Sequence, residues 1–202
     1  YEMQRGMGAV FGLNAGWEHP LWFADAPGTE DTNGFARQNW FEPVGREAAM
    51  LRDAVGVIDI SNFGKYEVTG PGAGDWLDAL VANHVPREIG KSCLTPLIGM
   101  RGGVAGDFTI TMTGDESYMM IGSGMAERYH RRFFDMVPLP DGTGFEVATP
   151  RIAGFNVAGP RSREMLAGLT DADLSNEGWR FMRSRRIAVG GVDCLAIRVS
   201  FT

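Results

Sequence analysis

The chain has 202 residues and a formal net charge of −6, which favours one acidic globular domain or two small ones. A hydrophobic fraction of 44% and a charged fraction of 22% exclude wholesale disorder. The acidic balance argues against a duplex-DNA-binding protein, and no apolar run approaches the ~20 residues that span a bilayer. We therefore expect neither nucleic acid nor a membrane as a partner.

The first 44 residues lack a regular period and are rich in glycine, proline and aromatic residues. They predict an irregular linker whose rings pack onto another part of the protein. From Gly45 onward, apolar periodicity predicts helices and strands in mixed order. The predicted helices cover about 48–55, 71–81 and 126–137, and the predicted extended segments cover 58–68, 92–98, 104–112, 117–121 and the chain after Gly190-Gly191.

A short pattern occurs twice. Residues 66–71 and residues 155–160 each run from a strand into Gly-Pro and then into a helix, and the second copy follows 89 residues after the first (159 − 70 = 89). Two such units predict an α+β domain built by a degenerate duplication.

Several residues have an ordinary structural interpretation beside a chemical one. The glycine-rich loop at residues 70–74 opens a helix, but its spacing matches no nucleotide fingerprint, which favours a helix cap. Cys93 and Cys194 form no CxxC pair and predict free thiols in a reducing compartment, the cytoplasm or the mitochondrial matrix. The histidines have no metal-ligand spacing, which favours solvated or structural roles for His19, His84 and His130.

Two groups of arginines stand out in this acidic chain. They form either a solvated helix face and a basic turn, or an anchor for an anionic ligand tail. The groups are Arg128, Arg131 and Arg132, and Arg180, Arg183, Arg185 and Arg186.

Asp107 is the strongest candidate for chemistry. It lies within a predicted strand, where aspartate is depleted, and Thr109 and Thr111 share its face. One interpretation is an edge strand with a wet face. The alternative is a lone carboxylate that orients or deprotonates an amine or stabilises a passing cation.

The chain resembles the dimethylglycine and sarcosine dehydrogenase or oxidase family, whose second half is similar to the aminomethyltransferase (T-protein) of the glycine cleavage system. Gly16-Trp17-Glu18-His19-Pro20 is the most specific of the matching motifs, because the T-protein lacks it. The other matching segments are residues 22–23, 46–47, 56–65, 94–97, 102–109 and 198–202.

The resemblance implies an incomplete aminomethyltransferase-like fold, with residues 1–44 as the linker from a flavin domain and residues 45–202 as the start of the folate-binding domain. It implies an enzyme that oxidises a methylated amine with FAD, outside this segment, and passes the one-carbon unit to tetrahydrofolate as 5,10-methylenetetrahydrofolate. Asp107 matches the catalytic aspartate. The residues expected at the folate site are Leu80, Thr109, Gly122 and Phe201.

The chain departs from the aminomethyltransferase pattern at a few positions. Gly106 replaces the first of two adjacent aspartates, Gly122 replaces an asparagine, and Phe201 replaces a tyrosine. The start at Tyr1 and the end within an apolar alternating run predict a piece of a longer protein. Two alternatives stay open: a free-standing folate-dependent aminomethyl- or methyltransferase without a flavin, and a non-catalytic regulatory module on the same scaffold.

Overall fold

A computed structural model describes residues 1–14 and 17–199 as a mixture of helices and strands. The helices are α1 (Glu2–Gly6), α2 (Phe41–Asp53), α3 (Ala73–Leu80), α4 (Glu127–Phe134) and α5 (Ser162–Ala167). The strands are β1 (Ala9–Asn14), β2 (Trp17–Phe23), β3 (Gly56–Asp59), β4 (Gly64–Thr69), β5 (Ser92–Ile98), β6 (Val104–Gly114), β7 (Ser117–Gly122), β8 (Gly144–Val147), β9 (Phe155–Ala158), β10 (Arg183–Val189) and β11 (Val192–Arg198).

Internal contacts divide the chain into two units. One holds residues 1–58 with 157–162, and the other holds residues 59–156 and the chain from 163 onward. This division differs from the boundary expected after residue 44, between a linker and the folate-binding domain. That boundary stays a prediction.

The first unit is more regular than the sequence indicates. Where an irregular segment was expected, β1 and β2 form an antiparallel hairpin. Its alternation is hidden in the sequence because the register shifts between Val10 and Phe11 and because Pro20 lies within β2. Val10 and Trp22 are buried there with Ala24, and Val44 of α2 packs against them.

The second unit is built on a five-stranded sheet in the order β5-β6-β7-β4-β8. All of its strand pairs are antiparallel, so the register assigns each residue to one of two faces. The core face packs against α3 and α4 around side chains that include Tyr66, Val68, Trp76, Leu77, Leu97, Phe108, Ile110, Met120 and Phe134. The opposite side of the same strands, called the outer face below, carries Lys65, Glu67, Leu94, Pro96, Asp107, Thr109, Thr111, Met119 and Ile121.

Most of the expected elements are present, with three differences. The extended segment 58–68 is interrupted by a turn between β3 and β4. The basic turn expected near 180–186 is largely strand β10, which pairs with β11 across the tight Gly190-Gly191 turn. In α4, the fully buried residues are His130 and Phe134 rather than the expected stripe of Tyr129 and Phe133.

The two strand–Gly-Pro–helix units have matching backbone geometry. Gly70 and Gly159 adopt positive φ angles of 104° and 115°, a region that L side chains rarely enter. In each unit the glycine carbonyl accepts a hydrogen bond of 3.1 Å from the amide three residues later, Ala73 in one and Ser162 in the other. This agreement supports the duplication inferred from the sequence.

Candidate functional site

Asp107 projects from the outer face near one end of the sheet. The edge-strand interpretation of its strand is wrong, because β6 lies between β5 and β7. However, β7 pairs with β6 only from Phe108 onward, where its last residue, Gly122, lies opposite. Asp107 is therefore one residue beyond the end of β7, paired with Pro96 of β5 on its other side. Its side chain is exposed to solvent.

The carboxylate of Asp107 lies beside a small apolar surface. The antiparallel register sets Leu94 opposite Thr109 and Pro96 opposite Asp107, so these four side chains share the outer face. Leu94 is 38% exposed, and Pro96 and Thr109 are partly buried. An exposed anionic oxygen pair next to apolar carbon and one hydroxyl group can receive a flat, partly apolar molecule that carries an N–H donor.

Farther from Asp107, the outer face becomes buried. Thr111 is fully buried, and its hydroxyl group lies 2.8 Å from the hydroxyl group of Ser92. The prediction of a wet face is therefore correct at Asp107 and wrong at Thr111. Along β6, the exposed part of the outer face is therefore the end that carries Asp107.

On the core face beneath Asp107, two aromatic rings occupy the space next to glycines. A Cβ atom at Gly106 would lie 2.6 Å from Nε2 of His130 and 3.4 Å from the Phe108 ring. A Cβ atom at Gly122 would lie 2.6 Å from the Phe108 ring and 3.1 Å from the carbonyl oxygen of Asp107. Glycine at these two positions is thus required by close packing around the Asp107 backbone.

His130 is fully buried in this packing, so a solvated role for it is wrong. Its Nδ1 atom lies 3.2 Å from the hydroxyl oxygen of Tyr66, and its ring lies edge-on to Phe108 at 4.7 Å between centroids. Its Nε2 atom is buried without a hydrogen-bond partner among the described residues. Burial lowers the pKa of His130, while the charges of Asp107 and Glu127 act to raise it.

The predicted site residues do not all meet on one face. Asp107 and Thr109 share the outer face, whereas Gly122 belongs to the core-face register and Leu80 is buried in the core cluster at 8% exposure. Phe201 lies outside the described residues. The roles of these five residues stay predictions. His130 and Tyr66 carry no sequence signal for this site, because their contact joins residues 64 positions apart.

The glycine-rich loop before α3 packs against protein atoms. A Cβ atom at Gly72 would meet Pro140 at 3.2 Å, and one at Gly74, the second residue of α3, would clash with Nη1 of Arg87 and with the Tyr118 hydroxyl at 2.6 Å. Gly72 is the N-cap residue of α3. These contacts support the helix cap over a nucleotide loop.

Several of the arginines considered as an anion anchor have partners within the chain. Arg131 pairs with Asp135 at 2.9 Å, and Arg183 makes two hydrogen bonds to the carboxylate of Glu88. Arg185 lies over the Trp179 ring at 5.8 Å. These side chains therefore support local structure.

Cys93 and Cys194 are free thiols. Within residues 1–14 and 17–199, no group of three or more His, Cys, Asp or Glu side chains could hold a metal ion. Over the same residues, no helix has the length and apolar content needed to cross a membrane.

The chain is similar in sequence to known enzymes. Dimethylglycine dehydrogenase of Mus musculus is 33% identical over 95% of the chain, which spans 22% of that protein. Aminomethyltransferase of Thermoanaerobacter sp. (strain X514) is 28% identical over 85% of the chain and 47% of that protein.

The crystal structure of glycine cleavage system aminomethyltransferase T from Bartonella henselae matches with a TM-score of 0.68 and 23% identity, over 91% of this chain and 45% of that one. The expected α+β aminomethyltransferase-like fold is therefore confirmed. The sequence pattern of the GCVT N-terminal domain family matches residues 1–202, so the chain belongs to this family.

Proposed function

We propose that this chain is the tetrahydrofolate-binding part of an FAD-linked dehydrogenase or oxidase of N-methyl amines. Its substrate would be a small methylated amine such as dimethylglycine or sarcosine. The oxidised methyl group would be captured as 5,10-methylenetetrahydrofolate. Membership of the GCVT N-terminal domain family and the similarity to dimethylglycine dehydrogenase of Mus musculus support this proposal.

The observation that carries the proposal is the position of Asp107. Its exposed carboxylate stands beside Leu94, Pro96 and Thr109 on the outer face, at the exposed end of β6. A carboxylate is an acceptor for the N–H groups of an amine and can take up a proton as a nitrogen forms a new bond to carbon.

The chemical groups of these residues suit tetrahydrofolate. Leu94 and Pro96 offer an apolar surface against which a flat ring can lie, and Thr109 offers a hydroxyl group that can donate or accept a hydrogen bond. When bound, tetrahydrofolate supplies the two nitrogens that hold the one-carbon unit. The role of Asp107 is to orient one of these nitrogens and to accept its proton.

The chain spans 22% of dimethylglycine dehydrogenase of Mus musculus. We assign FAD and the amine-oxidising site to a flavin domain elsewhere in the full-length protein. Cys93 and Cys194 are free thiols, and the dimethylglycine dehydrogenase of Mus musculus is a mitochondrial protein. Both observations support a reducing compartment, the matrix or the cytoplasm.

Substitution of Asp107 in the full-length protein tests the proposal. We expect Asp107→Asn to lower the rate of 5,10-methylenetetrahydrofolate formation by about 100-fold or more, because the amide cannot accept the proton. The oxidation of the amine, followed with an artificial electron acceptor, should be unchanged.

Asp115→Asn is the matched control for this experiment. Asp115 is exposed in the turn between β6 and β7, at the opposite end of the same strand, so its substitution should leave both rates within about twofold of wild type. Normal methylene transfer in Asp107→Asn would remove Asp107 from the mechanism. Absence of tetrahydrofolate binding to the wild-type protein, measured by calorimetry, would favour a regulatory module instead.

The similarity to aminomethyltransferases favours a second candidate, a folate-dependent aminomethyl- or methyltransferase without a flavin. The two candidates differ in the sequence that precedes Tyr1. A strand followed by G-x-G-x-x-G there supports the flavin-linked enzyme, whereas a start close to Tyr1 supports the transferase. The absorbance spectrum of the purified full-length protein provides the same distinction.

A further inference from the structure

We propose that His130 is a positioning residue for Asp107 and acts through Gly106. Its imidazole ring, anchored by Tyr66, fills the space beneath β6 that glycine leaves open and so fixes the backbone that carries the Asp107 carboxylate. The inference deepens the proposed function and, in its kinetic part, rests on it.

The first step of the argument is the anchoring of the ring. His130 is fully buried, and the 3.2 Å contact between its Nδ1 atom and the Tyr66 hydroxyl sets the orientation of the imidazole. Tyr66 is itself fully buried, in edge-on contact with Phe108 at 6.2 Å and Phe134 at 5.2 Å between ring centroids. The anchor therefore belongs to the aromatic cluster of the core.

The second step is the close approach of the ring to the strand. With Nδ1 directed at Tyr66, the Nε2–Cδ2 edge lies beneath Gly106, at 2.6 and 2.9 Å from the position of a Cβ atom. Real Cβ contacts of this length do not occur, so any side chain at residue 106 must displace either the ring or the strand. The ring of His130 therefore accounts for glycine at residue 106.

The third step is the weak support that β6 has at this point. Asp107 lies beyond the last residue of β7 that pairs with β6, so the β7 ladder does not hold its backbone. The carbonyl oxygen of Asp107 is close to Gly122, and the Phe108 ring fills the remaining space there. The rings of His130 and Phe108 thus provide packing on the core face where β7 provides no pairing.

The chemical identity of residue 130 gives a further argument. An apolar ring would fill the same space without leaving a buried nitrogen unpaired, yet Nε2 has no partner among the described residues. Imidazole does what an apolar ring cannot, because its Nδ1 atom bonds to Tyr66 and sets the ring angle. The position thus requires an oriented ring as well as a filled volume.

The test uses the full-length protein and a pair of substitutions whose effects should not be additive. We expect Gly106→Ala to lower the rate of methylene transfer at saturating tetrahydrofolate by about tenfold or more, because displacement of a reacting group by about 1 Å can cost about 100-fold. The Kd for tetrahydrofolate should change by less than about threefold. In Gly106→Ala/His130→Ala the clash is removed together with the anchored ring, so the rate should equal that of His130→Ala alone, about fivefold below wild type, rather than the product of the two losses.

Gly103→Ala is the matched control, because a Cβ atom there meets nothing within 4 Å in the same β5–β6 hairpin. Its rate should stay within about twofold of wild type. Hydrogen–deuterium exchange of a peptide that covers β6 gives a readout independent of activity. Exchange should be faster in Gly106→Ala, normal in Gly103→Ala, and no faster in the double variant than in His130→Ala alone.

If the wild-type protein makes no methylenetetrahydrofolate, the proposed function fails, while the exchange pattern alone still decides the positioning role. Losses that multiply in the double variant, as for two unconnected positions, would overturn the proposal. If Gly106→Ala does not fold, His130→Phe decides. That variant keeps a ring but loses the bond to Tyr66, and we expect a rate about fivefold lower at unchanged folate affinity. An unchanged rate would also overturn the proposal.

Discussion

The two faces of the five-stranded sheet differ in what their side chains do. The core face is a continuous set of buried rings and aliphatic groups, in which Tyr66, Phe134 and Phe145 lie with ring centroids 5.2–5.8 Å apart. The outer face changes along its strands, from fully buried Thr111 to exposed Asp107. Strand alternation thus separates the residues that stabilise the sheet from those available for chemistry.

This separation is incomplete beneath Asp107. There the core face contains the Tyr66–His130 pair, and the outer-face carboxylate affects the pKa of a histidine on the opposite side of the sheet. The backbone of a single strand connects the two. The three predictions that follow test the comparison between the faces, beginning with the largest expected effect.

Leu97 and Leu94 allow a direct comparison, since both lie in β5 and point to opposite faces. Leu97 is 2% exposed on the core face, and Leu94 is 38% exposed on the outer face. We expect Leu97→Ala to lower the free energy of unfolding by about 2–5 kcal/mol, from lost burial and the resulting cavity. Leu94→Ala should cost about 1 kcal/mol or less.

Urea-induced unfolding followed by circular dichroism measures both values. Because Leu94 is next to Asp107, Leu94→Ala should also weaken tetrahydrofolate binding, while Leu97→Ala should not alter it at temperatures where the protein is folded. Equal losses of stability in the two variants would contradict the assignment of the faces.

Lys65 tests whether the buried part of the outer face is structural. It is 2% exposed, and its Nζ atom donates hydrogen bonds to the carbonyl oxygens of Ile60, Ser61 and Phe63 at 2.9–3.3 Å. We expect Lys65→Met to cost about 3 kcal/mol of unfolding free energy, because three carbonyl groups lose their donor.

Thermal unfolding monitored by calorimetry checks this value, and Lys91→Met, at an exposed lysine of the same unit, is the matched control. The control should change stability by less than about 0.5 kcal/mol. A small effect of Lys65→Met would mean that the turn between β3 and β4 is held by other contacts.

Period-2 alternation is enough to predict the strands that carry the site. β5 has the predicted bounds, and β6 extends the predicted strand by two residues. Period-2 alternation does not predict β10. Arg185 and Arg186 are adjacent in the sequence, so both faces of the strand carry a charge, and neither face of the β10–β11 hairpin is deeply buried. Strands that bury little area leave little trace in the sequence.

The site is only partly predictable for a different reason. A lone aspartate within a strand pattern is a local signal, and it is enough to identify Asp107 as a candidate from the sequence. The apolar spacing of α4 predicts Tyr129 and Phe133 inside, but the helix is rotated by about one residue, so that His130 and Phe134 meet Tyr66. That contact depends on a residue distant in the chain, which helical periodicity does not report.

The pH dependence of stability tests the core-face side of the comparison and has the smallest expected effect. Burial lowers the pKa of His130 below its usual value of 6.5, with Asp107 and Glu127 acting in the opposite direction and the neutral Tyr66 hydroxyl at its Nδ1 atom. Below pH 6.5 the unfolded chain therefore binds more protons at this residue than the folded chain, and stability falls as the pH falls. The slope from one such group is at most about 1.4 kcal/mol per pH unit.

Other groups also titrate in this range, so the informative quantity is the difference between wild type and His130→Phe. We expect the stability advantage of wild type over the variant to shrink from pH 7 to pH 5.5, as measured by urea unfolding at each pH. Asp107→Asn should steepen the loss in a wild-type His130 background, since it removes a charge that favours the protonated imidazole. If the stability difference between wild type and His130→Phe does not change with pH, His130 has the same pKa in the folded and unfolded chains. That result would contradict the effect expected from its burial beneath Gly106.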